Sequence, residues 1–271
     1  MSLILTAELA YQNYLEQVHY NPKEYEEKRD KPVHRASSGG RCHRLQKYHV
    51  ETEKIGVIND DGETEIGEVK KYRPKELTPE TMAIFRIGTV FHSELQQGMN
   101  WLINEKNKDN ENITLEMEKK VSVNMSGCQI DGHFDIRLFD HKNKIIQITD
   151  LKTMNPRQMS YFKKDPYSKK GYIIQVGVYA YATKLEFPDY DIVILLSAWD
   201  KDKGNFFEVE LDYNICVMKA DNYYKELSES MKLELDDLVP IQHPKSPMNP
   251  KWECDYCQYN HICPSPRIKK R

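Results

Sequence analysis

Three stretches, ITLEMEKKVSV (113–123), IDGHFDIRLF (130–139) and KIIQITDLKT (144–153), decide how this chain is read. The first alternates in polarity, the second follows a turn near Ser126-Gly127, and the third is rich in β-branched residues. Three consecutive strands are the economical reading. On their N-terminal side, Thr78-Pro79-Glu80 opens a long helix through FRIGTVFHSELQQGMNWLI (85–103), with Thr78 as cap and Pro79 in the first turn. On their C-terminal side come a helix over 171–184, the apolar run DIVILLSAW (191–199), a strand NFFEVEL (205–211) and a helix from Asn214 to about Leu233. The order α, β-β-β, α, β predicts an α/β fold with a central sheet flanked by helices.

At 271 residues the chain can bury a sizeable core without disulfides. Its 39 Lys+Arg nearly balance 42 Asp+Glu, so a net charge of −3 attracts no polyanion globally. Contact with nucleic acid must come from a local basic groove or a bound cation. LILTAELAYQNYLEQV (3–18) reads as an amphipathic helix, lacking the basic leader of an export signal. A polar stretch follows at 21–32, and 53–74 reads as a loop or small hairpin turning at Asn59-Asp60-Asp61-Gly62. No apolar run approaches the roughly 20 residues of a membrane span. The expectation is a soluble, cytoplasmic protein whose six cysteines stay reduced and become candidate ligands.

Asp150-Leu151-Lys152 ends the third strand, and the period of two sends Asp150 and Lys152 to one face while Leu151 enters the core. The carboxylate can hold a divalent cation; the ammonium can orient an attacking water or balance charge on a pentavalent phosphorane. Taken alone the triplet reads first as a surface ion pair at a strand end, and is too short to carry the case. A hairpin between the second and third strands would bring Asp135 beside Asp150, and adjacent carboxylates repel unless a cation joins them. Oxygen donors favour Mg²⁺ or Mn²⁺, and an imidazole from His92 would tilt the choice toward Mn²⁺. Gln175 and Tyr179, four apart on the next helix, share a face that could hold a DNA backbone or the water around Lys152, or simply pack.

Cys254, Cys257 and Cys263 form a Cys-x-x-Cys pair with a third cysteine close by, which is a strong ligand signal. Cys42, in the helix entry SSGGRCHR, is the natural fourth ligand and would clamp the N-terminal helices to the C-terminal tail. Zinc and iron–sulfur both suit four thiolates, and His261 could replace Cys42 at a zinc site. Cys128 and Cys216 fall in strand and helix patterns and read as buried fillers.

Gly88-Thr89-Val90-Phe91-His92, Gly132-His133-Phe134-Asp135, Asp150-Leu151-Lys152 and Gln175-x-x-x-Tyr179, in this order, resemble the RecB-type branch of the PD-(D/E)XK nucleases. The resemblance implies a restriction-endonuclease-like core with His92, Asp135 and Asp150 as metal ligands. It further implies that Lys152 is catalytic and that Gln175 and Tyr179 shape the site. Asp150 stands where many relatives have Glu. One lone cysteine followed by a late group of three resembles the iron–sulfur members: CRISPR-associated exonucleases, their phage relatives and AddB-type helicase–nucleases. That implies a 4Fe–4S cluster on Cys42, Cys254, Cys257 and Cys263, although His43 replaces the usual Pro after the first cysteine. The expected division is an N-terminal helical region (1–110) contributing Cys42 and His92, a nuclease core (111–235) and a cysteine segment (236–271), all one integrated domain.

Between strand and helix, MNPRQMSYFKKDPYSKKGY (154–172) alternates Lys163, Lys164, Lys169 and Lys170 with Tyr161, Phe162, Tyr167 and Tyr172. Read as a loop, it can neutralise phosphates and stack on unpaired bases, or be merely a solvated surface. The expected function is a metal-dependent DNA nuclease, an exonuclease on single strands or ends by resemblance. The other reading is a cluster-stabilised DNA-binding subunit serving a helicase, recombination or integrase-like partner. No Gly-x-x-x-x-Gly-Lys-Ser/Thr loop is present, so any motor would be a separate protein.

Overall fold

The computed structural model describes residues 33–58, 64–72, 74–101, 103, 112–238, 252–255 and 257–263. The segments expected at 3–18 and 21–32, and the turn at 59–62, lie outside them. The architecture is a mixed six-stranded sheet flanked by helices, with a separate two-stranded hairpin. Strand β5 (Cys128–Asp140) is its hub. Strand β4 (Ile113–Met125) pairs antiparallel along β5 except at Asp135, where Glu118 of β4 has a φ of 48° and leaves the ladder, and the strands are joined by a two-residue turn in which Ser126 and Gly127 both have positive φ, 49° and 83°. Such a turn matches the twist of the strands it connects.

The other edge of β5 is divided. Its first half takes the short parallel strand β1 (Val33–Arg35), from Val33↔Gln129 to Arg35↔Asp131. Its second half takes β6 (Ile145–Met154), from Asp140↔Ile145 to Ile136↔Thr149. Residues 132–135 fall in the break between these two partners. Strand β6 then pairs in parallel with β7 (Asp191–Asp200) over ten residues, and β8 (Phe206–Leu211) closes the edge antiparallel to β7.

Helix α1 (His43–Val50) precedes the hairpin of β2 (Thr52–Ile58) and β3 (Thr64–Lys70). Helix α2 (Pro79–Trp101) begins as expected, with the Thr81 amide donating to Thr78 Oγ1 at 3.3 Å. The 154–172 segment is not a loop. Asn155 caps helix α3 (Pro156–Lys164): its side chain accepts from the Gln158 amide and Gln158 returns a bond to the Asn155 amide, while Pro156 fills the first turn. That reciprocal cap satisfies donors that a loop would leave to water. Phe162 is consequently a fully buried core residue rather than a stacking platform, and only Tyr161 keeps its ring exposed.

Helices α4 (Lys170–Glu186) and α5 (Tyr213–Met231) lie over the sheet and supply its main core. The buried positions of α5 (Cys216, Ala220, Tyr223, Tyr224 and Leu227) repeat every three or four residues, the stripe that a helix on a sheet requires. At Gly177 the two helices meet so closely that a Cβ would stand 2.3 Å from the Cys216 carbonyl oxygen. Cys128 and Cys216 are both buried, as the patterning indicated, and the Cys128 thiol lies 3.5 Å from the Tyr224 carbonyl.

Helix α1 grips the segment after α5. Arg44, 3% exposed, donates to the carbonyls of Leu235 (2.7 Å) and Leu238 (2.6 Å), and Lys47 donates to that of Leu233. His43 Nδ1 meets Ser230 Oγ at 2.7 Å and its ring packs edge-on to Tyr223. The residue standing in place of the expected Pro after Cys42 is therefore an anchor between helices. Among the described residues no helix is long and apolar enough to cross a membrane.

Candidate active site

The break in the β5 edge brings the acidic residues together. The β5–β6 ladder ends at Ile136↔Thr149, so Asp135 and Asp150 hold the next rung. There the Asp135 carboxylate replaces a backbone partner: its Oδ2 accepts from the Leu151 amide at 2.6 Å. Asp150 is 0% exposed, and neither of its carboxylate oxygens has a hydrogen-bond partner of good geometry. Lys152 Nζ stands 2.6 Å from Asp150 Oδ2, so the pair is held by charge. Leu151, between them in sequence, is buried as the strand alternation required. From α2, His92 presents Nδ1 at 3.6 Å from Asp135 Oδ1, and Phe91 packs edge-on against Trp199 of β7. Four of the six expected residues thus converge from three elements.

The two carboxylates are pushed apart electrostatically. Burial, reinforced by the Asp135 charge, raises the Asp150 carboxyl to about 6 despite Lys152. At Asp135 burial is outweighed by the His92 imidazole, the Lys152 charge and the Leu151 amide, so its carboxyl lies below its usual value. Burial works against the charged forms of His92 and Lys152, but the neighbouring carboxylates outweigh it and hold both above their ordinary values. For Asp150 and His92 the fold prefers the protonated form. At Asp150 the contribution to stability is complete below the ordinary carboxylate range and is lost as pH rises through about 6; at His92 it is lost only above the ordinary imidazole value. Asp135 has the opposite sign, its contribution being lost only in acid. In the presence of a chelator, thermal stability should therefore decline from about pH 5 to pH 7, and Asp150→Asn should flatten that decline. An unchanged slope in the variant would show that Asp150 is not the group responsible.

Gln175 and Tyr179 stand behind the carboxylates. Gln175 Nε2 donates to the Tyr179 hydroxyl at 3.1 Å. The Tyr179 ring is buried, with its phenol raised by burial and then by the Asp150 and Asp135 charges. Gly132 makes room for it, since a Cβ there would meet Tyr179 Cε1 at 2.8 Å. Two further residues join the site. The Tyr172 ring lies 5.3 Å from Lys152 Nζ, so this tyrosine holds the ammonium rather than a base. Glu118 on β4 brings a carboxylate oxygen within 4.8 Å of donor atoms of both His92 and Asp135. Nothing in EMEKKV marks Glu118 among its acidic neighbours; the strand register alone selects it. The donor set of carboxylates plus one imidazole fits a hard divalent cation, and the fully buried Asp150, whose Oδ1 has no hydrogen-bond partner and whose Oδ2 is met by the Lys152 ammonium, offers such an ion an oxygen to coordinate.

The sequence profile of the PD-(D/E)XK nuclease superfamily matches residues 8–264, nearly the whole chain. The chain belongs to the PD-(D/E)XK nuclease superfamily. Among solved structures, SSO0001 is similar over 97% of this nuclease and 98% of its own chain, with a TM-score of 0.50 and 16% identity, which is a likeness of fold. A candidate exonuclease from Eubacterium rectale aligns over 50% of this chain and 52% of its own, at 9% identity and a TM-score of 0.32, too distant to carry an argument. No curated protein matches significantly in sequence.

Among the described residues, the four expected thiols do not form a group of ligand atoms within 4.8 Å of one another, although they share one region. Cys42 is the residue before α1, and its amide lies 3.2 Å from Glu253 Oε1 on α6 (Trp252–Asp255), the helix that carries Cys254. Cys42, Cys257 and Cys263 pack around one small cluster of Leu45, Tyr48 and Tyr259. Burial pushes the Cys254 thiol up to about 12, and the nearby Cys42, Cys257 and Cys263 each add to the shift. Cys257 is raised likewise by burial, with contributions from Cys42 and Cys263. The raised Cys254 and Cys257 thiols would favour a cationic centre, which would offset the repulsion. His261 is exposed, and no disulfide joins any of the six cysteines.

Proposed function

We propose that this PD-(D/E)XK protein is a metal-dependent DNA nuclease of the RecB-like, iron–sulfur branch, acting as an exonuclease on single strands or DNA ends. The observation that carries the reading is the convergence of Asp135, Asp150, Lys152 and His92 at the break in the β5 edge. Asp135, Asp150 and His92 would hold Mn²⁺ or Mg²⁺. When bound, such a cation neutralises phosphate charge and lowers the pKa of water at neutral pH. Lys152 is fixed between Asp150 and the Tyr172 ring, so its ammonium offers a preorganised charge to the transition state without reorganisation at the moment of reaction. Gln175 and Tyr179 keep the carboxylate floor in place from behind. Cys42, Cys254, Cys257 and Cys263 would hold the 4Fe–4S cluster, joining the chain before α1 to the C-terminal segment. DNA would approach along the α3 surface, where Arg157 lies over the exposed Tyr161 ring beside Lys163 and Lys164. Thiolate ligation and iron–sulfur chemistry belong to the reducing cytoplasm.

The test is digestion of single-stranded DNA labelled at either end by anaerobically purified protein, with Mn²⁺, Mg²⁺ or EDTA. Cation-dependent shortening from one label is expected, and the label that survives longer gives the polarity. Binding without cleavage under both cations would favour instead a DNA-binding subunit serving a helicase or recombination partner.

A further inference from the structure

We propose that the groove between helix α2 and strand β4 receives one nucleobase of a single strand, next to the nucleotide whose phosphate lies at Asp135 and Lys152. The inference rests on the reading of this centre as a nuclease acting on single-stranded DNA. The groove has a volume of about 450 Å³ and is lined by Ser93, Gln96, Gln97 and Asn100 of α2 and by Leu115 and Met117 of β4. The four helical residues fall at i, i+3, i+4 and i+7, which is one face of successive turns. Leu115 and Met117, two apart on a strand, share the face that meets them. The helix that delivers His92 to the carboxylates thus continues, beyond the site, as the wall of a separate groove.

The chemistry of the lining selects the occupant. Among the described residues it holds no lysine, arginine or carboxylate, so neither a phosphate nor a cation finds its counter-charge there. Glu118, held by Gln96 at the edge, would repel a phosphate. What the groove offers is three carboxamides, a hydroxyl and two apolar side chains. A carboxamide donates and accepts from one planar group, and so matches the mixed donor and acceptor edge of a base. The Met117 thioether and the Leu115 side chain give the flat face of a base an apolar, polarisable surface. Unpaired bases splayed from their backbone are recognised by this combination of edge bonding and face contact. Position favours the same reading. Gln96 belongs both to the groove and to the active site, since its Nε2 donates to Glu118 Oε1 at 2.6 Å and to the Asp135 carbonyl at 3.2 Å. Ser93 directly follows His92, and its Oγ accepts from Gln97 Nε2 at 3.2 Å. A base seated here belongs to a nucleotide adjoining the reacting one, and its capture fixes the register of the strand against Lys152.

The test is the first cleavage, in Mn²⁺, of end-labelled oligonucleotides that carry a single abasic nucleotide at successive positions from the digested end. The full chain, purified anaerobically, should show one position at which the missing base raises KM about ten-fold, the loss expected for one recognised base. Gln97→Ala removes a carboxamide and Ser93→Leu fills the groove; both residues are exposed on α2, so neither substitution touches the core. Each variant should raise KM for the intact strand, and the abasic nucleotide at that one position should then add no further rise. A wild-type KM indifferent to the abasic nucleotide at every position would overturn the nucleobase assignment. So would an abasic penalty kept in full by both variants. Failure of the wild-type protein to cleave any strand would instead overturn the nuclease reading on which the groove depends.

Discussion

Lys152→Ala is expected to lower the rate of DNA cleavage by about 10³-fold while leaving DNA binding close to wild type and Mn²⁺ binding intact at alkaline pH. The side chain is 15% exposed and has a carboxylate at 2.6 Å and an aromatic ring at 5.3 Å, so its charge is positioned before substrate arrives. A charge held in this way is worth far more in a site shielded from water than on the surface. Asp150→Ala should be as inactive for a different reason, the loss of cation binding. The two variants therefore separate in a Mn²⁺ titration even though both fail in the cleavage assay. Removal of Lys152 also withdraws the charge that opposes the rise of the Asp150 carboxyl. Mn²⁺ binding by Lys152→Ala should accordingly require a higher pH than wild type. Circular dichroism would confirm that each variant keeps its fold, and full activity in Lys152→Ala would refute the catalytic assignment.

Cys257→Ser should abolish the cluster and lower the melting temperature by about 10–20 °C. Linking Cys42 to the 254–263 segment closes a loop of most of the chain, and a cross-link across so long a loop contributes about 5 kcal/mol, which for a chain of this size corresponds to such a shift. The hydrogen bonds of Arg44 and Lys47 to residues 233–238 would remain, so the loss should fall short of complete unfolding. Iron and acid-labile sulfide analysis gives the second readout: near four of each per chain in wild type and almost none in Cys257→Ser. Cys128→Ser is the control, since that thiol is buried under α5 away from the other four, and its iron content should be unchanged. Stoichiometric zinc in the wild-type protein, with no iron or sulfide, would replace the cluster by a structural zinc centre.

How much was legible without coordinates depended on the range of the interaction involved. The β4–β5–β6 meander, the Thr78 cap with Pro79, and the pairing of Asp150 with Lys152 on one face all follow from periods and caps that act over a few residues. Asn155-Pro156 with Gln158 carries a helix-start signature of the same kind, yet the lysines and aromatics around it invited a loop reading; the reciprocal cap decides for α3 and buries Phe162. Strand β1, three residues long, has no pattern of its own and exists because half of one edge of β5 is vacant.

The amino-acid sequence by itself determined the order of the elements, the superfamily, the Asp-x-Lys face and the two groups of cysteines, because each is written in residues close together or in a fixed order of motifs. Only the tertiary structure decided that β5 shares one edge between β1 and β6, that Tyr172 belongs to Lys152, and that Glu118, one of two acids in the stretch Glu116-Met117-Glu118, joins His92 and Asp135. Those placements depend on strand register and helix packing. Register is set by the summed burial of whole faces, so the identity of a single exposed glutamate has no part in choosing it, and its partners become visible only once the strands are paired.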